Sequence, residues 1–474
     1  MQNKQRHKQM KRGIFMTTLD VSVKKSRLKH PPGLYLLFLT EMWERFSYYG
    51  LRSLLMLYLT VSFVQGGLGY SVSSGAFIYA VYTGFTYFTP IIGGWLADNF
   101  LGQKKAIIIG AIIMAIGNFA LFADGSRIGL YIGLALLIAG NGFFKPNIST
   151  VVGQLYDKED KRKDSAFTIF YMGINLGSLI APLICGLLAE DIFAKTANGA
   201  IIHYGFKYGF LAAAIGMVLG AIIFVTFSPK YLAHVGGLNK EVNKTNEYKK
   251  TNANKPLTKQ EKRRIGAILV LAAFVIFFWT GFEQAGSSLT IFTQKLTNRE
   301  IGGMTVPVAW FQSCNPVFVL ILSPILAKLW IKLANREKGD LSVPVKMAMG
   351  MIILGIGFLF MVGAVLSIGG AENPVAKASM WWIVLTYFCN TVGELCLSPI
   401  GLSMVSKLAP IKYASLLMGI WMAASGIANL SAGLIASRLE TFGPLEIFGG
   451  ISAVCITLGV VLLLLSKKIS KLME

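Results

Sequence analysis

Long apolar stretches recur along most of this chain, and they constrain its fold more than any other feature. A membrane-spanning helix requires about 20 mostly apolar residues. Stretches of that length alternate with polar loops throughout the sequence. The predicted spans cover residues 33–62, 74–97, 104–124, 127–148, 165–190, 206–228, 265–288, 305–331, 346–368, 379–405, 413–437 and 444–466. We therefore predict an all-α polytopic membrane protein with 12 transmembrane helices.

The charge distribution predicts which side of the membrane each loop occupies. Only 14% of the 474 residues are charged and 54% are apolar, yet the formal net charge is +22. With both termini in the cytoplasm, 35 of the 45 Lys and Arg residues lie on the inner side, seven lie in outer loops and three lie at membrane depth. This asymmetry follows the positive-inside rule. The excess of Lys and Arg thus reflects the orientation of the chain in the membrane, and no nucleic-acid partner is needed to explain it.

One long polar segment divides the chain into two halves. Residues 229–264 contain ten Lys or Arg and three Glu, which is typical of a mobile cytoplasmic linker. Two six-helix halves are the layout of a major-facilitator transporter. The predicted organisation is a basic cytoplasmic segment (1–30), an N-terminal bundle (31–228), the linker (229–264), a C-terminal bundle (265–466) and a cytoplasmic tail (467–474).

The first span carries a stripe of polar residues within "EMWERFSYYG" and just after it. At about 100° per residue, the stripe occupies an arc of roughly 140° on one helix face. Its members are Glu41, Glu44, Arg45, Tyr48, Tyr49 and Arg52. A short loop at the membrane interface is a weaker interpretation, because apolar runs precede and follow the stripe. We expect the stripe to face the bundle interior or a water-filled cavity.

Three further charged residues lie at membrane depth: Lys145 in span 4, Glu283 in span 7 and Glu394 in span 10. A charged residue at mid-helix costs roughly 2.5–3.5 kcal/mol, so seven unpaired groups would cost on the order of 20 kcal/mol. These groups must therefore pair with one another or line water. The set has four carboxylates and three cations, and the surplus carboxylate suits uptake of a proton or of a substrate ammonium group.

The loop between spans 2 and 3 reads "GGWLADNFLGQKKAI" and matches the major-facilitator signature G-x-L-A-D-x-x-x-G-[RK]-[RK]. Gln103 stands where a cation is frequent in that signature. We expect Asp98 to accept hydrogen bonds from a neighbouring helix N-terminus or to pair with a cation. The loop is interpreted as a conformational latch and not as a substrate site.

Two motifs carry a resemblance that extends over essentially the whole chain. "EMWERFSYYG" resembles the E-x-x-E-R-F-x-Y-Y-G motif of the proton-coupled oligopeptide transporters, the peptide branch of the major facilitator superfamily. "FYMGINLGSL" is similar to the second signature of that family, F-Y-x-x-I-N-x-G-S. The motifs "FFKPN" and "FEQAG" and the span-10 glutamate follow in the expected order. The resemblance implies proton-driven import of di- and tripeptides by alternating access of two six-helix bundles.

The resemblance also implies roles for particular residues. Proton coupling is expected of Glu41, Glu44, Arg45 and Glu283. Substrate binding is expected of Arg45, Arg52, Tyr48, Tyr49, Tyr87, Lys145, Asn175, Trp279, Asn315, Glu394 and Trp421. Among these, Arg45 and Lys145 would meet the peptide carboxylate, and Glu394 with the two asparagines would hold the amino end and backbone. The pairs Arg52–Glu283 and Lys145–Glu394 would close the outer and inner gates respectively.

Functions other than peptide transport fit the sequence less well. A facilitator carrier for another small charged solute, such as nitrate or a drug, is the main alternative. An enzyme or a pore is disfavoured because the sequence has no HExxH, GxxxxGK[ST] or GxSxG motif and no repeated filter loop. We expect no cofactor besides the coupling proton. The expected partners are small peptides, protons and the lipid of the plasma membrane, with no obligate protein partner evident.

One feature of the sequence departs from many bacterial members of this family. Those members carry two extra helices between the six-helix halves. The segment 229–264 has no apolar run long enough for a span, so we expect 12 helices here.

Overall fold

The computed structural model describes residues 29–157, 160, 162–197, 200–237, 257–336, 340–372, 374–410 and 413–473. Twelve long helices run through this part of the chain. They are α1 (Pro32–Thr60), α2 (Val72–Leu96), α3 (Gln103–Ala123), α4 (Arg127–Gln154), α5 (Lys163–Leu187), α6 (Phe206–Tyr231), α7 (Lys259–Phe282), α8 (Cys314–Ala334), α9 (Val343–Ser367), α10 (Trp381–Leu408), α11 (Ala414–Ala436) and α12 (Pro444–Met473). The predicted all-α architecture is confirmed.

Ten of these helices are by themselves long and apolar enough to cross a membrane. The other two are α1 and α2. Helix α1 carries four charged residues, and α2 is rich in glycine, threonine and tyrosine. Both are as long as their neighbours, so the same bilayer thickness suits all twelve.

Span 7 is not the continuous helix that the sequence predicts. A 3-10 turn, Glu283–Gly286, follows α7, and a short helix, Ser288–Leu296, completes the span. Gly286 permits the break to sit against α2, because a Cβ atom at this position would overlap the hydroxyl of Tyr79. A hydropathy window does not detect such an interruption, since the residues on both sides remain apolar.

Short strands and turns join the helices. Span 8 begins with a 3-10 segment, Val308–Ser313, before α8, and π-helical turns follow α2 (Ala97–Leu101) and α5 (Leu188–Ile192). A four-residue helix, Leu439–Phe442, precedes α12. Strands β1 (Lys195–Ala197) and β2 (Ala200–His203) pair antiparallel, as do β4 (Glu300–Ile301) and β5 (Met304–Thr305), while β3 (Thr297–Asn298) and β6 (Ala378–Ser379) pair in parallel.

The helices pack as two six-helix bundles, which confirms the predicted fold class. In the first bundle α1 packs against α5 and α6, and α4 packs against α2 and α3. In the second, α9 packs against α10 and α12, and α7 packs against α11. Glycines allow the closest crossings: a Cβ at Gly93 of α2 would overlap the carbonyl of Gly142 in α4. Such contacts between small residues hold helices together inside a membrane.

The two bundles meet through the pairs α2–α11 and α5–α8. We call the end of the molecule where α1 finishes and α2 begins the outer end, and the opposite end the inner end. Gly433 of α11 touches α2 near the outer end, where a Cβ would overlap the side chain of Ala80. The hydroxyl of Ser313 donates to the carbonyl oxygen of Leu179 at 2.8 Å. The outer halves of the bundles are therefore packed together.

The loop between α2 and α3 is fastened at the inner end. The carboxylate of Asp98 accepts a hydrogen bond from the side-chain amide of Gln103, the first residue of α3, at 2.9 Å. A neutral donor thus takes the place of the cation that is frequent in the signature. Nζ of Lys104 donates to the carbonyl oxygen of Leu232 at 3.0 Å. The backbone N–H of Lys104 donates to the carbonyl oxygen of Gly236. The loop holds the segment that follows α6.

A second inner contact joins the loop before α5 to the start of α1. Arg162 donates to both carboxylate oxygens of Asp160 and, at 2.7 Å, to the backbone oxygen of Lys29. Nδ1 of His30 lies 2.8 Å from the hydroxyl of Tyr156. Side-chain and backbone hydrogen bonds from Arg162 lower the pKa of Asp160 to about 2. The loop is thus held by a charged carboxylate at neutral pH.

The predicted polar segments are only partly described. Residues 1–28 of the N-terminal segment, residues 238–256 of the linker and residue 474 of the tail lie outside the described residues. Helix α6 continues to Tyr231, α7 begins at Lys259 and α12 reaches Met473, so each helix runs several residues past the predicted boundary. The domain boundaries themselves stay predictions.

Candidate functional site

The polar stripe of α1 is divided between the interior of the first bundle, where Glu41, Glu44 and Arg45 are buried, and a central cavity that Tyr49 and Arg52 line. Glu41, Glu44 and Arg45 are 3%, 0% and 5% exposed. The guanidinium of Arg45 pairs with Glu44 and lies 3.0 Å from Oε1 of Glu41. It also sits above the ring of Tyr48, 5.5 Å from its centroid. Two carboxylates therefore share one guanidinium, and these three side chains together carry one net negative charge.

Arg52, one turn beyond Tyr48, links the bundles near the outer end. Its guanidinium forms an ion pair with Glu283, whose side chain is only 5% exposed. Nε of Arg52 donates to the hydroxyl of Tyr79 at 2.7 Å. The 3-10 turn that begins at Glu283 turns this carboxylate toward α1. The predicted partners of the outer gate are therefore in contact, while their gating role stays a prediction.

Lys145 of α4 lies beside the same cluster. Its ammonium group is 4.3 Å from the ring centroid of Tyr87 on α2, within the range of a cation–π contact. Arg45, Glu44 and Glu41 are all within electrostatic range of it. Lys145 and Glu394 form no ion pair among the described contacts. The inner-gate pairing expected of these two residues is therefore not made in this conformation, in which the outer halves touch.

Glu394 of α10 provides the carboxylate of the second bundle. Its Oε2 accepts a hydrogen bond from Nδ2 of Asn315 at 2.8 Å, and the same amide donates to the hydroxyl of Thr391 at 3.1 Å. Asn315 stands in the first turn of α8, directly before Pro316, where it reaches across to α10. The sequence predicted both residues for the substrate site, and the structure brings them into contact.

A central cavity of about 130 Å³ lies between the two bundles. The predicted site residues along its wall are Tyr49, Arg52, Tyr87, Trp279, Glu283, Asn315 and Glu394. They come from α1, α2, α7 with the 3-10 turn that follows it, α8 and α10, so both bundles contribute. Charges of both signs stand on the wall, and aromatic rings fill much of the remainder. The cavity can therefore accept a polar solute with charges of both signs.

Other predicted residues lie outside this wall. Nδ2 of Asn175 donates to the carbonyl oxygen of Tyr171 in its own helix at 2.9 Å. Trp421 is 4% exposed and packs on α10, where a Cβ at Gly401 would overlap its indole ring. Tyr48 packs at the edge of the Tyr49 ring, with 5.1 Å between their centroids. Arg45 and Lys145 lie outside the wall as well, and the substrate roles expected of all these residues stay predictions.

Sequence reasoning missed two cavity-lining amides, Gln312 and Asn390. Asn390 precedes Glu394 by four residues in α10, so both occupy the same helix face. Gln312 precedes Asn315 by three residues in the segment that leads into α8. Helical spacing from the predicted site residues was therefore the signal that could have identified them.

Glu190, at the outer end of α5, was missed as well. Its carboxylate accepts hydrogen bonds from the backbone N–H groups of Val308 at 2.8 Å and Ala309 at 3.1 Å. Arg299 lies 3.6 Å away. Carboxylates favour such positions because the N-terminus of a helix presents unpaired N–H groups. Glu190 thus fastens the first bundle to the start of span 8 in the second, and it lies outside every motif that the sequence offered.

The described residues contain no group of three or more His, Cys, Asp or Glu side chains that could hold a metal ion. The five cysteines are buried or half-buried free thiols. The groups that the structure brings together at the site are carboxylates, guanidinium and ammonium groups, amides and aromatic rings.

Known proteins share this architecture and sequence. The family model described as POT family matches residues 104–243 and 232–444. A transporter of Bacillus subtilis named as uncharacterized, YclF, is 36% identical, with 94% of this chain and 95% of the relative covered. A di-/tripeptide transporter of Lactococcus lactis subsp. cremoris is 31% identical over 95% of this chain and 98% of its own.

The crystal structure of a peptide transporter POT in complex with sulfate superposes with a TM-score of 0.83. It is 32% identical, and the superposition covers 94% of this chain and 96% of that one. The family model spans well over half of the sequence, and the relatives match at nearly full length. The chain is a member of the POT family.

Proposed function

We propose that this protein is a proton-coupled symporter that imports di- and tripeptides by alternating access of its two bundles. The observation that carries the proposal is the division of charge between the two bundles on either side of the cavity, whose wall includes Glu394 and Asn315 but not Arg45 or Lys145. Arg45 and Lys145 belong to the first bundle, and Glu394 with Asn315 belongs to the second. A zwitterionic peptide has fixed charges at its ends and variable side chains between them. A site with cations on one side and a carboxylate on the other binds what all such peptides share.

Coupling to protons is proposed for the α1 cluster. Glu41 and Glu44 share the guanidinium of Arg45, so the cluster has one negative charge in excess. A proton, or the contact of Arg45 with a peptide carboxylate, changes this balance. Protonation of one glutamate frees Arg45 to bind the carboxylate end of the substrate, which links the two events. Glu283, paired with Arg52, would join this exchange of partners when the outer end opens.

Alternating access is proposed to depend on pairs that form on opposite sides of the cavity. Arg52–Glu283 would hold the outer gate closed, and Lys145–Glu394 would close the inner gate once the inner ends approach. Aromatic side chains, Tyr48, Tyr49, Tyr87, Trp279 and Trp421, would surround the variable peptide side chains. Asn175 and Asn315 would assist at the amino end and backbone.

The proposed setting is the plasma membrane, with both termini in the cytoplasm. Residues 1–30, 229–264 and 467–474 would be cytoplasmic, and the bundles would comprise residues 31–228 and 265–466. The excess of Lys and Arg on the inner side supports this orientation. The coupling ion is the proton, and neither a further cofactor nor an obligate protein partner is proposed.

Uptake into proteoliposomes tests the function. We would impose an inward proton gradient, supply radiolabelled Ala-Ala, and compare the wild type with Glu44→Gln and with Glu300→Gln, whose carboxylate is exposed in an outer loop. We expect concentrative uptake by the wild type and by Glu300→Gln. Glu44→Gln should lose concentrative uptake and retain peptide exchange at equal pH. Folded wild-type protein that neither accumulates nor exchanges dipeptides would overturn the substrate assignment, and uptake of nitrate or a drug instead would support the alternative carrier.

A further inference from the structure

Two primary amides on the cavity wall have hydrogen-bonding groups without a partner. Asn390 is 1% exposed, and neither Nδ2 nor Oδ1 has a hydrogen-bond partner among the described residues. Nε2 of Gln312, on the wall of the same cavity, also has none among the described residues. Buried amide groups are otherwise almost always paired. An unsatisfied pair on the wall of a binding cavity is therefore poised for hydrogen bonds with an occupant.

The neighbouring polar groups are already engaged, so they do not compete for these amides. Asn315 donates to both Thr391 and Glu394. The hydroxyl of Thr391 in turn donates to the carbonyl oxygen of Tyr387 at 2.7 Å. On the described part of the cavity wall, Gln312 and Asn390 thus have buried amide groups without a partner, whereas the amide nitrogen of Asn315 is engaged by Thr391 and Glu394.

The chemistry of a primary amide identifies the group it would bind. It is planar and uncharged, and it both donates and accepts. A peptide bond has the same shape and the complementary pair of groups, a carbonyl oxygen and an N–H. The charged ends of a substrate are better matched elsewhere in the site, by the carboxylate of Glu394 and by the cations of the first bundle.

We propose that Gln312 and Asn390 bind the peptide group of the substrate, so that the site selects a peptide bond over linkages of equal shape that form no hydrogen bonds. This inference rests on the proposed function and adds two residues to the site. It assigns the uncharged middle of the substrate to the second bundle, next to the place proposed for its amino end.

A pair of probes isolates this contact. Ala-Ala and its (E)-alkene isostere have the same charged ends and nearly the same shape, but the alkene lacks the carbonyl and the N–H. Each would compete for exchange of labelled Ala-Ala at equal pH, which measures binding without the proton gradient. We expect the wild type to favour Ala-Ala, with about five- to tenfold weaker binding of the alkene for each hydrogen bond that it cannot form.

The variants are Asn390→Leu and Gln312→Met, which keep the side-chain volume and remove the amide. Each should weaken binding of Ala-Ala by about five- to tenfold and leave binding of the alkene unchanged. Asn429→Leu is the matched control, because Asn429 is a buried amide of α11 whose Nδ2 donates within its own helix at 2.9 Å. The control should leave the ratio of the two affinities as in the wild type.

Each outcome decides the proposal. An unchanged ratio in folded, exchanging Asn390→Leu and Gln312→Met overturns it, as does equal binding of the two probes by the wild type. If Asn390→Leu does not fold, the ratio in Gln312→Met alone decides. A wild type that binds neither probe would instead refute the proposed function, so the two failures are distinguishable.

Discussion

Replacement of Glu190 by alanine should open the outer end of the molecule. Glu190 is the only described carboxylate that accepts from the start of span 8, through the N–H groups of Val308 and Ala309. Alanine would leave both groups buried without an acceptor while the outer end stays closed. When the outer end opens, the same groups meet water. The substitution therefore raises the free energy of the closed form and hardly affects the open form.

The size of the effect follows from these contacts. A buried donor left without its acceptor costs about 1–3 kcal/mol. We take the cost of one donor as the lower bound for the substitution, since the second N–H group and the lost contact with Arg299 at 3.6 Å can only add to it. A shift of about 1–3 kcal/mol changes the ratio of closed to open molecules by about 5- to 150-fold. Glu190→Gln should have a smaller effect, since one amide oxygen can still accept.

Distances between spin labels at the outer end measure this ratio. Val64 in the first bundle and Val375 in the second are 86% and 85% exposed, so cysteines there can be labelled after the native cysteines are replaced. We expect Glu190→Ala to add a longer distance between the labels. Asp191→Ala, which removes the adjacent, exposed carboxylate, should give the wild-type distribution. Identical distributions for Glu190→Ala and wild type would refute the assigned role.

Three further substitutions test other contacts. Gly433→Ala should favour the outer-open form in the same labelling assay, because the Cβ of the new alanine overlaps the opposite bundle. Gly93→Ala lies at a helix crossing within one bundle, so it should lower the folding stability by about 1–3 kcal/mol without shifting the label distances. Glu283→Gln should lower the unfolding free energy in detergent by about 3–5 kcal/mol, because it leaves the buried guanidinium of Arg52 without its counter-ion. Arg52→Met added to the same chain should restore most of that stability. An unchanged unfolding midpoint in the single variant would contradict this prediction. Asp160→Asn should lower the melting temperature at pH 7. Because folding lowers the pKa of Asp160 to about 2, the difference should shrink as the pH falls below about 4 and vanish below about 2. A difference that stays constant with pH would argue against this titration.

The sequence predicts the fold well because span length and charge asymmetry are local properties. Periodicity alone placed Glu41, Glu44 and Arg45 on one face, and that face is buried with the three side chains in contact. The pairing of Arg52 with Glu283 joins residues 231 positions apart. It came only from the resemblance, since helix periodicity carries no information about which helices are neighbours.

The features that the sequence-based prediction missed have similar physical causes. The 3-10 break at Glu283–Gly286 depends on the approach of Tyr79 from another helix, which no pattern within span 7 encodes. Glu190 fell at the boundary of a predicted span, and its partners are backbone N–H groups, which have no signature in the side-chain sequence. Asn390 was not predicted as a site residue because asparagine is uncharged and the search within the spans relied on charged residues, although Asn390 shares a helix face with Glu394.

The contacts in this structure explain why the proposed inner-gate pair is absent while the outer end is closed. The bundles meet at the outer end, where Glu190 binds the start of span 8. Lys145 contacts Tyr87 within the first bundle, and Glu394 contacts Asn315 within the second. If the bundles move as rigid bodies about the cavity, bringing Lys145 to Glu394 must separate their outer ends. Each charged group has a partner within its own bundle in the meantime, so neither stands unpaired at membrane depth during the transition. A bound peptide would occupy both groups through its two ends, and its release would leave them free to pair with each other.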